Sequence, residues 1–167
     1  MSEVVFFGGL FSAYATLRAS AEGPWPPPDV ELETGWAAVA TVVLLSSSAT
    51  VQVAARAAEE MQMAKFRRWL LITVALGALF LANQAREWSV ATFSADSHPF
   101  GSAFFVITGF HGAHVLAGLI AMLVMASLSS RRGWATRGGG PAEVLALYWH
   151  VVDGVWVVVF TVLFLLR

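Results

Sequence analysis

The chain has 167 residues, of which 57% are hydrophobic and only 13% are charged. Soluble domains carry about a quarter of charged residues, so this composition indicates a membrane protein. The net charge of −1 gives no basis for nucleic-acid binding, and the absence of cysteine excludes disulfides, thiolate metal sites and cysteine nucleophiles.

Five apolar stretches have the roughly 20 residues that a helix needs to cross a bilayer. We therefore predict an all-α, polytopic protein with one membrane domain over residues 1–167. The predicted spans are 3–20, 34–55, 66–88, 101–128 and 142–166. A proline-rich connector (22–31) and a glycine-rich loop (129–141) separate some of them, because proline and glycine end helices.

The basic residues of the short loops predict the orientation. The loops after spans 2 and 4 hold seven of the ten Lys and Arg residues: Arg56, Lys65, Arg67, Arg68, Arg131, Arg132 and Arg137. The opposite loops are acidic and carry Arg18 as their only clear basic residue. This pattern predicts a cytoplasmic N-terminus and a C-terminus on the outer side. The alternative for span 1, a signal peptide cleaved near Ala19-Ser20-Ala21, is disfavoured because Glu3 stands where a basic residue is expected.

Span 4 carries two histidines, His111 and His114, on neighbouring positions of one helical face. Gly109 and Gly118 on the same span allow another helix to approach closely. Ionisable groups inside a membrane must face protein, because acyl chains cannot solvate them. The simplest interpretation is a pair of neutral histidines hydrogen-bonded across a helix interface.

Span 5 carries Glu143, His150 and Asp153 along one side, with Trp149 and Trp156 forming a packing stripe seven residues apart. An aspartate halfway along a span needs a partner, and the candidates are His150 or a span 4 histidine. A structural His–Asp pair that fixes helix register is favoured over catalysis.

Ionisable residues also stand at the ends of spans 3 and 1. Arg86 and Glu87 are sequence neighbours and point in different directions on a helix, so they are not expected to pair. They either snorkel to the interface beside Trp88, or Arg86 binds a lipid phosphate or a partner. Glu3 is either a solvated acid in the first helical turn or, if the helix end is covered, a buried carboxyl.

Catalytic motifs are mostly lacking: the sequence has no HExxH, no phosphate-binding glycine loop and no nucleophile elbow. A competing hypothesis is a small membrane electron carrier in which His114 and His150 ligate one haem b. Basic and aromatic residues near the two membrane boundaries are plausible anchors for lipid head groups. On the outer side they are Arg18, Trp25 and Trp36, and on the inner side they are Arg56, Arg67 and Arg68.

Six segments, in this order, resemble subunit III of the haem–copper cytochrome oxidases. They are SEVVFFGGLFSAY (2–14), WPPP (25–28), LLSSSATV (44–51), NQAREW (83–88), FFVITGFHGAHVLAG (104–118) and EVLALYWHVVDGVWVVVF (143–160). The last two are the most specific, because they combine rare intramembrane ionisable residues at fixed spacing.

The resemblance implies a helical subunit with no catalytic site, cofactor or metal of its own. It would dock on the catalytic subunit I, with subunit II also present, and these partners would carry the haems and copper of a proton-pumping cytochrome c oxidase. The subunit would support assembly, bind phospholipid in a cleft lined by spans 1 and 2, and keep proton uptake durable. The family positions matched are Glu3, which corresponds to a carbodiimide-reactive glutamate, and His111, His114, Glu143, Tyr148, Trp149, His150, Asp153 and Trp156. Arg131 falls slightly past the place of a lipid-phosphate arginine.

The sequence departs from the full-length members of this family, which have two spans before the segment that corresponds to residues 2–14. Short bacterial forms exist, some accompanied by additional C-terminal helices on subunit I, and we expect such an extended subunit I in the bacterial plasma membrane. A second relative that fits is the subunit III-like protein associated with nitric oxide reductase.

Overall fold

The computed structural model describes residues 2–28, 30–129 and 140–166, and within them it is all-helical, as predicted. The helices are α1 (Ser2–Ala19), α2 (Thr34–Glu59), α3 (Met63–Val90), α4 (Pro99–Leu128) and α5 (Gly140–Phe160), which continues as a π-helical turn (Thr161–Leu165). Most of the predicted glycine-rich loop, with Arg131, Arg132 and Arg137, lies outside the described residues.

The helices α2 and α3 form a long hairpin whose turn is shorter than the sequence predicted. The loop expected between residues 55 and 66 is helical except around the tight turn at Met61, which has φ 60°. The correction has a physical reason: Ala57, Ala58 and Phe66 are buried between the two helices, so apolar packing continues past the last strongly hydrophobic residues.

The start of α4 is fixed by local capping. Pro99 occupies the first turn, where its missing N–H costs nothing. The His98 side chain accepts a hydrogen bond from the backbone N–H of Gly101 at 2.8 Å, which satisfies one of the free donors at the helix start. The helix therefore begins two residues before the predicted span.

The core lies where α5 packs against α2 and α4. Trp149 and Trp156 are the largest fully buried side chains, and Phe80 of α3 meets Trp156 edge to face with ring centroids 4.7 Å apart. Helix α4 also packs on α3, while α1 lies against α4 and, over a shorter stretch, α5. The tryptophan stripe predicted in span 5 is thus confirmed as core packing.

Among the described residues, four helices are long and apolar enough to cross a membrane: α2, α3, α4 and α5 with its π-helical turn. Helix α1 is shorter, at 18 residues, and falls outside this group. The chain is therefore a helical membrane protein with four candidate membrane-spanning helices among the described residues.

Gly118 is required by the contact between α4 and α5. A Cβ atom at this position would lie 2.8 and 2.9 Å from ring atoms of Trp149, whereas one at Gly8 would meet nothing within 4 Å. The expectation that Gly118 permits close helix approach is thus confirmed.

We predict that Gly118→Ala lowers the free energy of unfolding by about 1–3 kcal/mol, because a buried tryptophan ring must move to admit the methyl group. Gly8→Ala, the matched control, meets no neighbouring atom and should leave it unchanged or raise it by up to about 1 kcal/mol, because alanine favours a helix more than glycine does. Unfolding in mixed micelles measures both, and equal effects of the two substitutions would contradict the close contact.

Candidate functional site

Four polar side chains meet inside the bundle between α2 and α5. The hydroxyl of Ser48 donates a hydrogen bond to Oδ2 of Asp153 and lies 3.0 Å from Nδ1 of His150. The other ring nitrogen, Nε2, lies 3.1 Å from Oε1 of Gln52. Asp153 is 2% exposed, so this group, here called the Ser48–Asp153 cluster, joins two helices where water has little access.

Both partners expected for Asp153 are therefore wrong: within the described residues it bonds neither to His150 nor to a span 4 histidine, and Ser48 of α2 connects it to His150. The partners of both side chains lie on α2, because α5 turns this side toward α2 and not toward α4. Ser48 and Gln52 are four residues apart and share a helical face, which is a recognisable signal for a polar face within an apolar span. Neither residue was among the predicted site residues.

Two tryptophans extend the same interface. The indole N–H of Trp149 donates to Oγ of Ser47 at 2.8 Å, and that of Trp156 donates to Oγ1 of Thr41 at 2.9 Å. Buried indole groups need such a partner, since an unpaired donor in an apolar environment is costly. Packing and hydrogen bonds together fix the register of α5 on α2.

A second polar contact joins α1 to α4. Nε2 of His114 lies 2.5 Å from Oε2 of Glu3, while its Nδ1 lies 2.7 Å from the carbonyl oxygen of Phe110. A carbonyl can only accept, so Nδ1 carries a hydrogen and donates it. One further proton must then lie between Nε2 and the carboxyl group, because two bare acceptors would repel each other at this distance.

The Glu3–His114 pair lies deep along α4. His114 stands fourteen residues before the C-terminal end of that helix, which corresponds to roughly 20 Å along its axis. The side chains are 21% exposed for His114 and 40% for Glu3, and the hydroxyl of Tyr148 donates to the backbone carbonyl of His114. Glu3 therefore bonds to α4, but its side chain is not buried within the described chain.

His111 does not share this contact. It is fully buried among aromatic rings, with its centroid 4.9 Å from Trp156 and 5.7 Å from Phe80. Neither ring nitrogen has a hydrogen-bond partner within residues 2–28, 30–129 and 140–166. The expected pair of hydrogen-bonded histidines is therefore corrected: His114 reaches α1, and His111 packs into the core.

The geometry does not support the di-histidine haem site. Nε2 of His114 faces Glu3 of α1, whereas Nε2 of His150 faces Gln52 of α2, so the two rings turn toward different helices. Across the described part of the chain, no group of three or more His, Cys, Asp or Glu side chains is arranged to hold a metal ion.

An ion pair joins the start of α2 to the C-terminal part of α3. Both terminal nitrogens of Arg86 donate to the Glu33 carboxylate, and the guanidinium lies 5.2 Å from the Trp36 ring centroid. The hydrogen bonds from Arg86 lower the pKa of Glu33 below its ordinary value. As predicted, Arg86 does not pair with Glu87, which is buried separately.

The candidate lipid residues differ in their surroundings. Trp25 is held within the protein, since its indole N–H donates to the Tyr14 hydroxyl at 2.8 Å and its ring packs on Phe100. The other described candidates are exposed: Arg18, Trp36, Arg56, Arg67 and Arg68. Glu143 is also exposed, in the first turn of α5. Arg131 lies outside the described residues.

These features define a class of protein: a helical membrane protein whose intramembrane ionisable groups bind one helix to another. The sequence profile of "Cytochrome c oxidase subunit III" matches residues 1–166. The chain belongs to the cytochrome c oxidase subunit III family, which confirms the resemblance found in the sequence.

Bacterial relatives resemble the chain over almost its whole length. A probable cytochrome c oxidase subunit 3 of Mycobacterium tuberculosis is 40% identical over 169 residues, which cover 99% of this chain and 83% of the relative. Cytochrome c oxidase subunit 3 of Corynebacterium diphtheriae is 38% identical and that of Thermostichus vulcanus 37%, with the same two coverages. The chain therefore has the subunit III role in a haem–copper oxidase.

Proposed function

We propose that the chain is a non-catalytic, five-span subunit of a bacterial plasma-membrane oxidase that reduces O2 with electrons from cytochrome c and pumps protons. It forms one membrane domain with a cytoplasmic N-terminus. The basic loops support this orientation. The Glu3–His114 contact supports a crossing by α1, because it places the start of α1 beside the middle of α4.

The docking face for subunit I includes α1. Val4 and Val5 are 55% and 76% exposed, and the preceding residue, Glu3, is also partly exposed. A carboxyl group at this depth is costly against acyl chains, so covering protein is favoured. We propose that additional C-terminal helices of an extended subunit I cover this face, and that subunit II completes the complex.

Bound phospholipid is the second part of the proposal. An apolar groove of about 410 Å³ runs between α1 and α5, lined by residues that include Phe7, Phe11, Val151 and Val155. The described helix α2 does not contribute to it, so the groove differs from a cleft between spans 1 and 2. Gly8 and Gly154 widen it, and its lining is suited to an acyl chain.

The observation that carries a role in durable proton uptake is the 2.5 Å contact between Glu3 and His114, which requires a shared proton. Helix α1 has the smallest interface in the bundle, and this pair binds it to the middle of α4, while Tyr14 binds its other end to the Val162 carbonyl. Loss of the Glu3–His114 bond would loosen α1 and expose an ionisable histidine at the interface with subunit I. The catalytic centre would remain intact, because it lies in other subunits.

We therefore predict that an oxidase with Glu3→Leu has the wild-type initial rate but survives several-fold fewer turnovers. Leucine removes the proton-sharing partner while keeping an apolar helix start. Glu22→Gln, an exposed connector substitution, is the control and should have no effect. Oxygen consumption followed to inactivation measures both quantities, and an unchanged catalytic lifetime would argue against this role for the pair.

A further inference from the structure

A small acidic pocket lies at the outer end of α3, beside the connector. It has a volume of about 110 Å³, and its lining includes Glu31, Glu33 and Glu87. Glu87 is only 8% exposed, and its Oε1 atom has no hydrogen-bond partner among the described residues. A buried carboxyl oxygen without a hydrogen-bond partner is unusual in a folded protein, and a bound group with a donor would satisfy it.

The charges around the pocket favour a cation. Three carboxyl groups line it, while the nearby guanidinium of Arg86 is already engaged by Glu33. A group that carries positive charge and N–H donors would favour the ionised form of the buried Glu87 carboxyl group and bind to it. A metal ion fits less well, because the described residues provide no group of three metal-binding side chains.

An apolar groove is lined by the parts of α2 and α3 that follow Glu33 and precede Glu87 in the sequence. It has a volume of about 120 Å³ and lies between α2 and α3, lined by Trp36, Val39, Val43, Leu79 and Phe80 among others. Trp36, at its outer end, is the ring beneath the Arg86 guanidinium. Arg86 therefore stands between the apolar groove and Glu33 of the acidic pocket.

The groove, the guanidinium and the acidic pocket follow one another in the order of the groups of a zwitterionic phospholipid, which are the acyl chain, the phosphate and the ammonium group. A guanidinium has five N–H donors, and Glu33 occupies donors on only two of its nitrogens, so others are available to a phosphate. Exposed Trp36 and Trp88 mark the level of the head groups.

We propose that this outer site binds a phospholipid with a primary ammonium head group, such as phosphatidylethanolamine. The ammonium group donates to Glu87 and Glu31 in the acidic pocket, the phosphate contacts Arg86, and an acyl chain lies in the α2–α3 groove. The site is separate from the α1–α5 groove, and the proposal rests on the proposed membrane orientation, with this end of α3 outside.

The test uses the purified oxidase complex, stripped of lipid and then incubated with phosphatidylethanolamine, phosphatidylcholine or phosphatidylglycerol of identical acyl chains. Native mass spectrometry measures lipid retained on this subunit. Hydrogen bonds to a charged group predict about tenfold tighter retention of one phosphatidylethanolamine than of the other two, which lack a primary ammonium group. Glu87→Gln should reduce that preference to about twofold or less.

Two further variants separate the site from effects on folding. Glu31→Gln changes an exposed residue of the same pocket and should also reduce the preference, whereas Glu22→Gln, on the same side of the membrane, should not. Equal retention of the three lipids by wild type, or an undiminished preference in both pocket variants, would overturn the proposal. Carbodiimide coupling of Glu87 to a lysine of a neighbouring subunit would also overturn the proposal, because the pocket would then hold that lysine and not a lipid. The catalytic lifetime of the same samples tests the proposed function independently, because that role depends on Glu3.

Discussion

Replacing Trp149 by alanine is expected to lower the free energy of unfolding by about 3–5 kcal/mol, the largest effect of any single substitution considered for this chain. The side chain is fully buried, fills the space beside Gly77 and Gly118, and donates a hydrogen bond to Ser47. Its removal leaves a cavity at the junction of α2, α3, α4 and α5 and a hydroxyl without its donor.

Two controls separate the causes of this loss. Trp149→Phe keeps most of the packing but removes the indole N–H, so we expect a loss of about 1 kcal/mol from the hydrogen bond plus a smaller cavity term. Trp88→Ala removes a tryptophan that is 39% exposed and should cost less than Trp149→Ala. Unfolding in mixed micelles measures all three, and a Trp149→Ala loss below about 1 kcal/mol would contradict this packing.

The second large effect is expected at the Ser48–Asp153 cluster. Asp153→Ala should lower the free energy of unfolding by about 1–3 kcal/mol, because it leaves the Ser48 hydroxyl without its acceptor and His150 without a nearby carboxyl group. The same variant should weaken retention of the subunit in the oxidase while leaving the haem spectrum unchanged.

A double-mutant cycle tests the contact itself. Combining Asp153→Ala with Ser48→Ala should give a coupling of about 0.6–2 kcal/mol, the range for hydrogen bonds between membrane helices. Ser46 is the matched control, because its exposed hydroxyl bonds to the Val42 carbonyl of its own helix. Zero coupling for Ser48, or equal coupling for Ser46, would show that the cluster does not join α2 to α5.

The helical fold was predictable from sequence because the apolar stretches are long and the breaks between them are rich in glycine, proline or charge. The ends of the helices were less predictable. The α2–α3 hairpin extends through ArgAlaAlaGlu at 56–59, where alanines are buried although the segment is not strongly hydrophobic. Helix propensity and packing there continue the helix beyond the membrane-length window.

The candidate site was predictable only in part. Helical spacing correctly placed His150 and Asp153 on one side of α5, but spacing within one helix cannot tell which neighbouring helix that side faces. The partners, Ser48 and Gln52, lie about a hundred residues away in sequence. The same limit applies to Glu3 and His114, which are 111 residues apart and meet only because α1 packs on α4.

The most direct test of the account is purification of this chain with an affinity tag from its native membrane under mild detergent. We expect co-purification of a haem–copper oxidase, with subunits I and II identified by mass and haem spectra assigned to subunit I. Stoichiometric haem on the isolated chain, or a nitric oxide reductase as its partner instead of the oxidase, would contradict it.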